Sequence, residues 1–254
     1  MITNLLQEKS ALITGAGRNI GRAIALAFAE QNAHVYFTDI DEKRIKKLED
    51  ELSRYNVSYK GFISDVSNTE DNRKLIEYLK NNNISLDVLV NNVGIDRNVV
   101  GLQDIDFWEK DYKTNIFGPL DLTQLVFKNF MKQNGGNIIF ISSIHQDIIR
   151  RHPIYSSSKS AIGMIIKELA LEFAPYNIRV NGIAPGYTIV DENNQPLPHK
   201  DTPLHKSSIP PEYIGRAAVY LASEHFSRHT TGTVLKLDAG LSLVNHLAYE
   251  IPLN

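Results

Sequence analysis

The sequence predicts a doubly wound α/β fold: a mostly parallel, seven-stranded sheet with helices on both faces, in one domain. Three observations carry this. Short runs rich in valine and isoleucine alternate with stretches of helical period from one end to the other. The runs are almost continuously apolar, as strands covered on both faces are. No repeat, low-complexity block or linker divides the chain. The strands expected, in order, are Ala11–Thr14, His34–Thr38, Tyr59–Ile63 (the weakest), Asp87–Asn91, Asn137–Ser142, Arg179–Ile183 and Val234–Leu237. Helical periodicity fills the intervals at Ile20–Gln31, Asp41–Tyr55, Thr69–Asn81, Phe107–Lys132, Tyr155–Ala174 and Pro211–Ser223. Ligands of such sheets bind at the carboxyl ends of the strands, so the chemistry is sought there.

Bulk properties narrow the function. A chain of 254 residues buries a substantial core, and 43% hydrophobic with 22% charged residues is ordinary for a soluble globular protein. The net charge of −2, with no basic cluster beyond Arg150-Arg151, argues against nucleic acid as a partner. The absence of cysteine excludes disulfides, thiolate nucleophiles and cysteine metal sites. The first residues lack a signal-peptide pattern and no apolar run reaches membrane-spanning length, so a cytoplasmic protein without a membrane partner is expected. His225 and His229 lie four apart with no further ligand at suitable spacing, so no metal site is assigned.

The most informative spacing is Tyr155 to Lys159, four residues apart and hence on one helical face, twelve residues after Ser143. A phenol has a pKa near ~10, and bringing it to ~7 takes roughly 4 kcal/mol of preferential stabilisation of phenolate. An adjacent ammonium favours that form, and a serine hydroxyl at the same spot would orient a carbonyl or alcohol oxygen.

A second constellation follows the first strand. Thr14-Gly15-Ala16-Gly17-Arg18-Asn19-Ile20-Gly21 is a glycine-rich strand-to-helix turn, suited to a pyrophosphate held at a helix N-terminus. Asp39, eighteen residues beyond Gly21, ends the second strand where a carboxylate accepts from a ribose diol and repels a 2′-phosphate. It could equally cap the helix beginning near Asp41. NAD is therefore favoured over NADP, with Arg18 the complication: it would serve either a 2′-phosphate or the pyrophosphate. Asp65, before Val66, can accept from an adenine amino group or close a turn. Asn91-Asn92-Val93-Gly94 ends the fourth strand, where Gly94 leaves room for a cofactor and the asparagines can cap backbone.

Taken together these residues resemble the short-chain dehydrogenase/reductase family in its compact form of about 250 residues, over nearly the whole chain. Thr14–Gly21 corresponds to TGxxxGxG, Asn91–Gly94 to NNAG, Tyr155–Lys159 to YxxxK, and Pro185-Gly186 to the PG turn. Asn115, in Thr114-Asn115-Ile116-Phe117-Gly118, falls on the helix asparagine, and Leu237-Asp238-Ala239-Gly240 resembles VDGG. The resemblance implies a Rossmann-like domain, hydride transfer to or from NAD(P), Tyr155 as general acid/base, and Lys159 lowering its pKa and binding the nicotinamide ribose. It further implies that Ser143 orients the substrate oxygen and Asn115 holds a water of a proton relay. Gly15, Arg18, Asn19, Ile20, Asp39, Asp65, Val66, Asn91, Gly94, Pro185, Gly186 and Thr188 would contact the cofactor. A homotetramer built on the two long helices is implied, and Leu120, Val126, Phe127 and Phe130 would pack on the sheet or on that neighbour.

Several positions depart from the family pattern. Asn19 replaces a glycine but tolerates left-handed backbone; Val93 replaces alanine; Val190 stands where many members carry a threonine, whose place Thr188 or the backbone alone would take. Ser142 competes with Ser143, and register from Gly135-Gly136 selects Ser143. The polar loop Ile144–Ile154, with His145, Gln146 and Arg151, suits a polyhydroxylated substrate such as a sugar or polyol, or is simply solvated. Asp96 and Arg97 are weaker candidates. The stretch at about 187–211 corresponds to the family's substrate loop. Two rival readings stand beside an NAD-dependent sugar or polyol dehydrogenase: an NADP-dependent ketoreductase of acyl or xenobiotic ketones, and a non-catalytic dinucleotide-binding regulator.

Overall fold

The computed structural model describes residues 4–97, 101–191 and 195–244. Seven strands form one parallel sheet in the order β3-β2-β1-β4-β5-β6-β7, from β1 Ser10–Ile13, β2 His34–Asp39, β3 Tyr59–Ile63, β4 Val88–Asn91, β5 Gly136–Ile141, β6 Ile178–Pro185 and β7 Val234–Leu237. The order reverses between β1 and β4, where Ile13 pairs Val90. Chains leaving those two strands diverge, and their carboxyl ends open the crevice in which doubly wound proteins bind ligands.

Side-chain alternation explains the layers. Ala11 and Ile13 of β1 join one core with Ile139 and Ile141 of β5, covered by α1 (Asn19–Glu30), α2 (Glu42–Leu52) and α8 (Pro211–Ala222). Leu12, between them, points to the other core with Ile138 and Phe140. That face is closed by α3 (Thr69–Asn81), by α4 (Ile105–Tyr112) and α5 (Gly118–Val126), and by α7 (Pro153–Phe173). Short α6 (Lys132–Asn134) and α9 (Glu224–Ser227) complete the set. Caps set several boundaries: Asp41 accepts from the backbone of Lys43 and Arg44 at the start of α2, and Asn68 from Glu70 at the start of α3.

One segment differs from the sequence expectation. The long helix expected over Phe107–Lys132 begins at Ile105 and is interrupted by π-turns at Lys113–Phe117 and Phe127–Met131. The first π-turn carries Asn115, whose amide donates to Ile95 O (3.1 Å) and accepts from Ile95 N (2.8 Å). A side chain that pairs with a neighbouring backbone unit in both directions fixes its own helix locally, which periodicity does not reveal. Phe127 stacks on Phe173 at 4.5 Å and Val126 is fully buried, so this apolar face packs inside the chain. The stretch at 187–211 is not structureless: antiparallel bridges join Val190 to Pro196 and Pro198 to Ser207, and Thr202, Ser208 and Ile209 are buried. Residues 192–194 of that stretch lie outside the described residues. Among the described residues no helix is long and apolar enough to cross a membrane.

Candidate active site

Lys159 and Tyr155 sit one turn apart on α7, facing the ends of β4 and β5. Lys159 is 3% exposed, and its ammonium donates to Ile141 O at 2.9 Å and lies 5.5 Å from the Tyr155 ring centroid. Gly94 makes this possible, since a Cβ there would come within 2.9 Å of Lys159 Nζ. Asn115 is anchored on Ile95 and donates to Ser158 Oγ at 3.1 Å, beside the same lysine. The two serines separate cleanly. Ser142 Oγ shares its proton between Gln146 Oε1 (2.7 Å) and Lys159 O (3.2 Å), whereas Ser143 Oγ accepts from His145 N (3.2 Å) and borders the cavity with Tyr155. Adjacent residues leaving a strand point to opposite sides, and the two serines differ in partners although both border the cavity.

The protein's own groups do not lower the phenol as the Tyr155–Lys159 spacing suggests. Burial pushes Tyr155 up to about 12; the nearby Ser143 hydroxyl opposes this, and the charge of Asp96 adds to it. Burial likewise pushes Lys159 down to about 8. The desolvation that accompanies close packing outweighs the pairing that the spacing foresees. His145 packs edge-on against the Tyr155 ring at 5.0 Å, and burial pushes its imidazole down to about 4, so it is neutral around pH 7.

From Tyr155 and Lys159 an open cavity of about 510 Å³ runs across the crevice. Its middle is bounded by Gly15, Asn19, Ile20 and Gly94, and its Tyr155 end by Ser143, Pro185, Gly186 and Thr188. Arg18, Asp39 and Ile40, then Asp65 and Val66, line the other end. The glycine turn is shaped as a cradle: Gly15 has φ +63°, Asn19 takes the left-handed conformation at φ 47°, and a Cβ on Gly21 would meet Gly15 O at 2.4 Å. The first turn of α1 has no acidic residue and no side-chain cap, which leaves its N–H groups for an anion. An elongated cavity with a backbone-lined anion cradle at its middle fits a dinucleotide.

Other expected residues lie elsewhere. Asn91 turns away from the cavity and donates to Thr123 Oγ1 at 2.9 Å. Its neighbour Asn92 lines the cavity wall, donating to the carbonyls of Thr14 (2.8 Å) and Gly15 (3.0 Å); it braces the glycine turn, the capping role open to either asparagine. His145, Gln146 and Arg151 line a separate shallow depression of about 340 Å³, not the large cavity. Gln146 is committed to Ser142, and its side chain fills the space beside Gly163. Arg151 is exposed, in left-handed backbone at φ 60°. On the other side of Tyr155, Asp96, Arg97, Gln103, Asp111 and His152 line a small cleft with Phe107 and Ile154. His152 Nδ1 is 3.1 Å from Asp96, and Arg97 Nε is 2.7 Å from buried Asp111. Proximity in sequence to Gly94 is the signal that points to Asp96 and Arg97; nothing in the sequence marks Asp111. Among the described residues no group of three or more His, Cys, Asp or Glu converges as a metal site, and the His225 ring packs edge-on against Phe226.

Comparison with known proteins agrees with this geometry. Residues 9–200 match the family model described as short chain dehydrogenase. The chain is 32% identical to 3-oxoacyl-acyl-carrier-protein reductase of Thermotoga maritima, over 93% of this chain and 98% of that one. It is 30% identical to sorbose reductase of Candida albicans, over 92% and 87%. A solved structure of 7α-hydroxysteroid dehydrogenase complexed with NADH and 7-oxo glycochenodeoxycholic acid superposes with a TM-score of 0.83 at 29% identity, covering 94% of this chain and 98% of that one.

Proposed function

The chain belongs to the short-chain dehydrogenase family, oxidoreductases that act on CH–OH groups with NAD(P), and from that premise we propose an NAD-dependent dehydrogenase of a sugar or polyol. The reaction interconverts a secondary alcohol or hemiacetal with a ketone or lactone. The observation that carries this reading is the convergence of Ser143, Tyr155 and the buried Lys159 ammonium at one end of a cavity with a dinucleotide's shape.

When bound, the nicotinamide ring accepts or donates the hydride. The chain's own residues do the rest. Ser143 and Tyr155 present two hydroxyls to the substrate oxygen, and Tyr155 Oη takes or gives its proton. Lys159 holds positive charge within reach of that oxygen, favouring phenolate once the proton moves. Asn115 keeps the π-turn and the Ile95 backbone in place beside Lys159. The glycine turn and the α1 N-terminus would hold the pyrophosphate, and Asp65 and Val66 would lie at the adenine end. Buried Asp39 supports NAD, since a carboxylate at this end disfavours a 2′-phosphate.

Support for a polyhydroxylated substrate comes from the cleft beside Tyr155, whose Asp96, Arg97, Asp111 and His152 side chains are hydrogen-bonding groups. An apolar ligand would leave them without compensation for lost water. The similarity to sorbose reductase is consistent with this. A second reading, an NADP-dependent ketoreductase, is favoured by Arg18 and Arg44 at the Asp39 end and by the similarity to an acyl-carrier-protein reductase. The exposed Phe117, Met164 and Leu171 support a homotetramer assembled on α5 and α7.

The test is nicotinamide absorbance with NAD and then NADP, across aldoses, polyols, hydroxysteroids and hydroxyacyl thioesters. Reduction of NAD by one sugar or polyol series is expected. Turnover confined to NADPH and acyl or steroid ketones would replace this reading with the second.

A further inference from the structure

Asp39 does not act alone at the end of β2. Its Oδ2 accepts from Gly17 N–H at 2.9 Å and its Oδ1 from Asp41 N–H at 3.1 Å, so both oxygens already hold backbone. Arg44, in the first turn of α2, places Nη1 3.7 Å from Asp39 Oδ1 and Nε 3.4 Å from Asp41 Oδ2. Its stem lies against the glycine turn, since a Cβ on Gly17 would come within 2.6 Å of both Arg44 Cβ and Asp39 Oδ2. Arg18, Asp39, Ile40 and Arg44 line the same end of the cavity. The Arg44 side chain is 35% exposed there, whereas Asp39 is 6% exposed.

This arrangement changes what the buried carboxylate does. A guanidinium is the side chain best matched to a phosphate, which it can pair bidentately. Here that group stands at the cavity rim, but its Nε and one Nη point toward two carboxylates. We propose that Asp41 is a specificity-determining residue for the cofactor. It holds Arg44 against Asp39, keeps the guanidinium from serving a 2′-phosphate, and so makes the rim selective for a dinucleotide with a free ribose diol. The inference rests on the NAD reading above and supplies the device behind it. Cofactor choice then lies in a three-residue clamp, with Asp39 also serving as a structural tie between the glycine turn and α2.

Asp41 suits a clean test. Its Oδ1 caps α2 by accepting from Lys43 N (2.9 Å) and Arg44 N (3.2 Å), a role asparagine performs equally well. Dissociation constants for NADH and NADPH would be measured by calorimetry on the wild type, Asp41→Asn, Arg44→Ala and the double variant. Asp41→Asn is expected to tighten NADPH by about ten-fold while leaving NADH within about two-fold. The gain is expected to vanish in the double variant and to shrink between about 0.05 and 0.5 M salt. A NADPH-to-NADH ratio that stays unchanged in Asp41→Asn, or a gain that survives removal of Arg44, overturns the clamp. Asp41→Ser, another good cap, is held to the same criteria should the asparagine variant fold poorly. Wild-type protein that binds NADPH more tightly than NADH overturns the NAD reading itself, without recourse to the variants. An unchanged ratio with a standing wild-type preference for NADH overturns only the clamp.

Discussion

Lys159 is a charge held inside the protein. Burial lowers its pKa from the ordinary lysine value to about 8, so the folded chain binds its proton less tightly than the unfolded chain does. The unfolded state therefore holds more protons between about pH 8 and about pH 10.5, and stability rises with pH across that window. Below it the full cost of the buried ammonium is present. Lys159→Met is accordingly expected to raise the unfolding free energy at pH 7, by about 1–3 kcal/mol after allowing for the lost donor to Ile141 O. The advantage should shrink toward pH 10, which denaturant titrations at both pH values would show; a lower stability at pH 7 would contradict it. Tyr155 has the opposite sign. Its folded pKa is raised to about 12, so the tyrosine makes stability fall with pH above about 10. The serines make a further pair of opposites: Ser143→Ala should lower kcat about 100-fold, whereas Ser142→Ala, which loosens Gln146, should spare kcat and cost stability of about 1 kcal/mol. Four-residue spacing puts Tyr155 and Lys159 on one face, so their pairing is legible in sequence. Their titration is not, because it depends on burial by β4 and β5.

At the scale of elements, the glycine turn and the start of α1 are the most legible part of the site. Residue types dictate the backbone directly: Gly15 and Asn19 occupy left-handed conformations that other side chains resist. Asn19→Val is therefore expected to lower stability by about 1–2 kcal/mol and to weaken dinucleotide binding, while Asn19→Gly leaves both nearly unchanged; calorimetry and thermal unfolding would read the difference. Gly94→Ala is the sharper probe, because its Cβ would reach 2.9 Å from Lys159 Nζ. Loss of turnover with little loss of stability is expected, since the ammonium can shift where backbone could not. The π-turn around Asn115 was beyond sequence reasoning. Periodicity averages over a whole helix and is blind to one side chain pairing with Ile95 from another loop. The same limit explains Gln146, whose polarity suggests a substrate contact but whose amide is taken by Ser142 within the fold.

For the molecule as a whole, the parallel sheet and its two covering layers followed from the alternation of apolar runs with helical segments, because parallel pairing requires crossovers. Leu12 and Ile13 entering different cores is the two-residue alternation of a strand expressed at full scale. Less legible was which polar groups gather at Tyr155. Asp96, Asp111 and His152 come from three separate segments, and only the packing of α4 and α7 beyond β4 brings them to one cleft. On the proposed reading, substrate choice belongs there, at the scale of assembled loops, while the reaction belongs to α7 and the end of β5. The two levels separate in one comparison: NAD-dependent oxidation by the wild type against Tyr155→Phe, with NADH affinity measured on both. The variant is expected to lose at least about 100-fold in turnover while its NADH dissociation constant stays within about three-fold. Turnover that survives without the phenol would contradict Tyr155 as the proton carrier, and with it the chemistry assigned to this site.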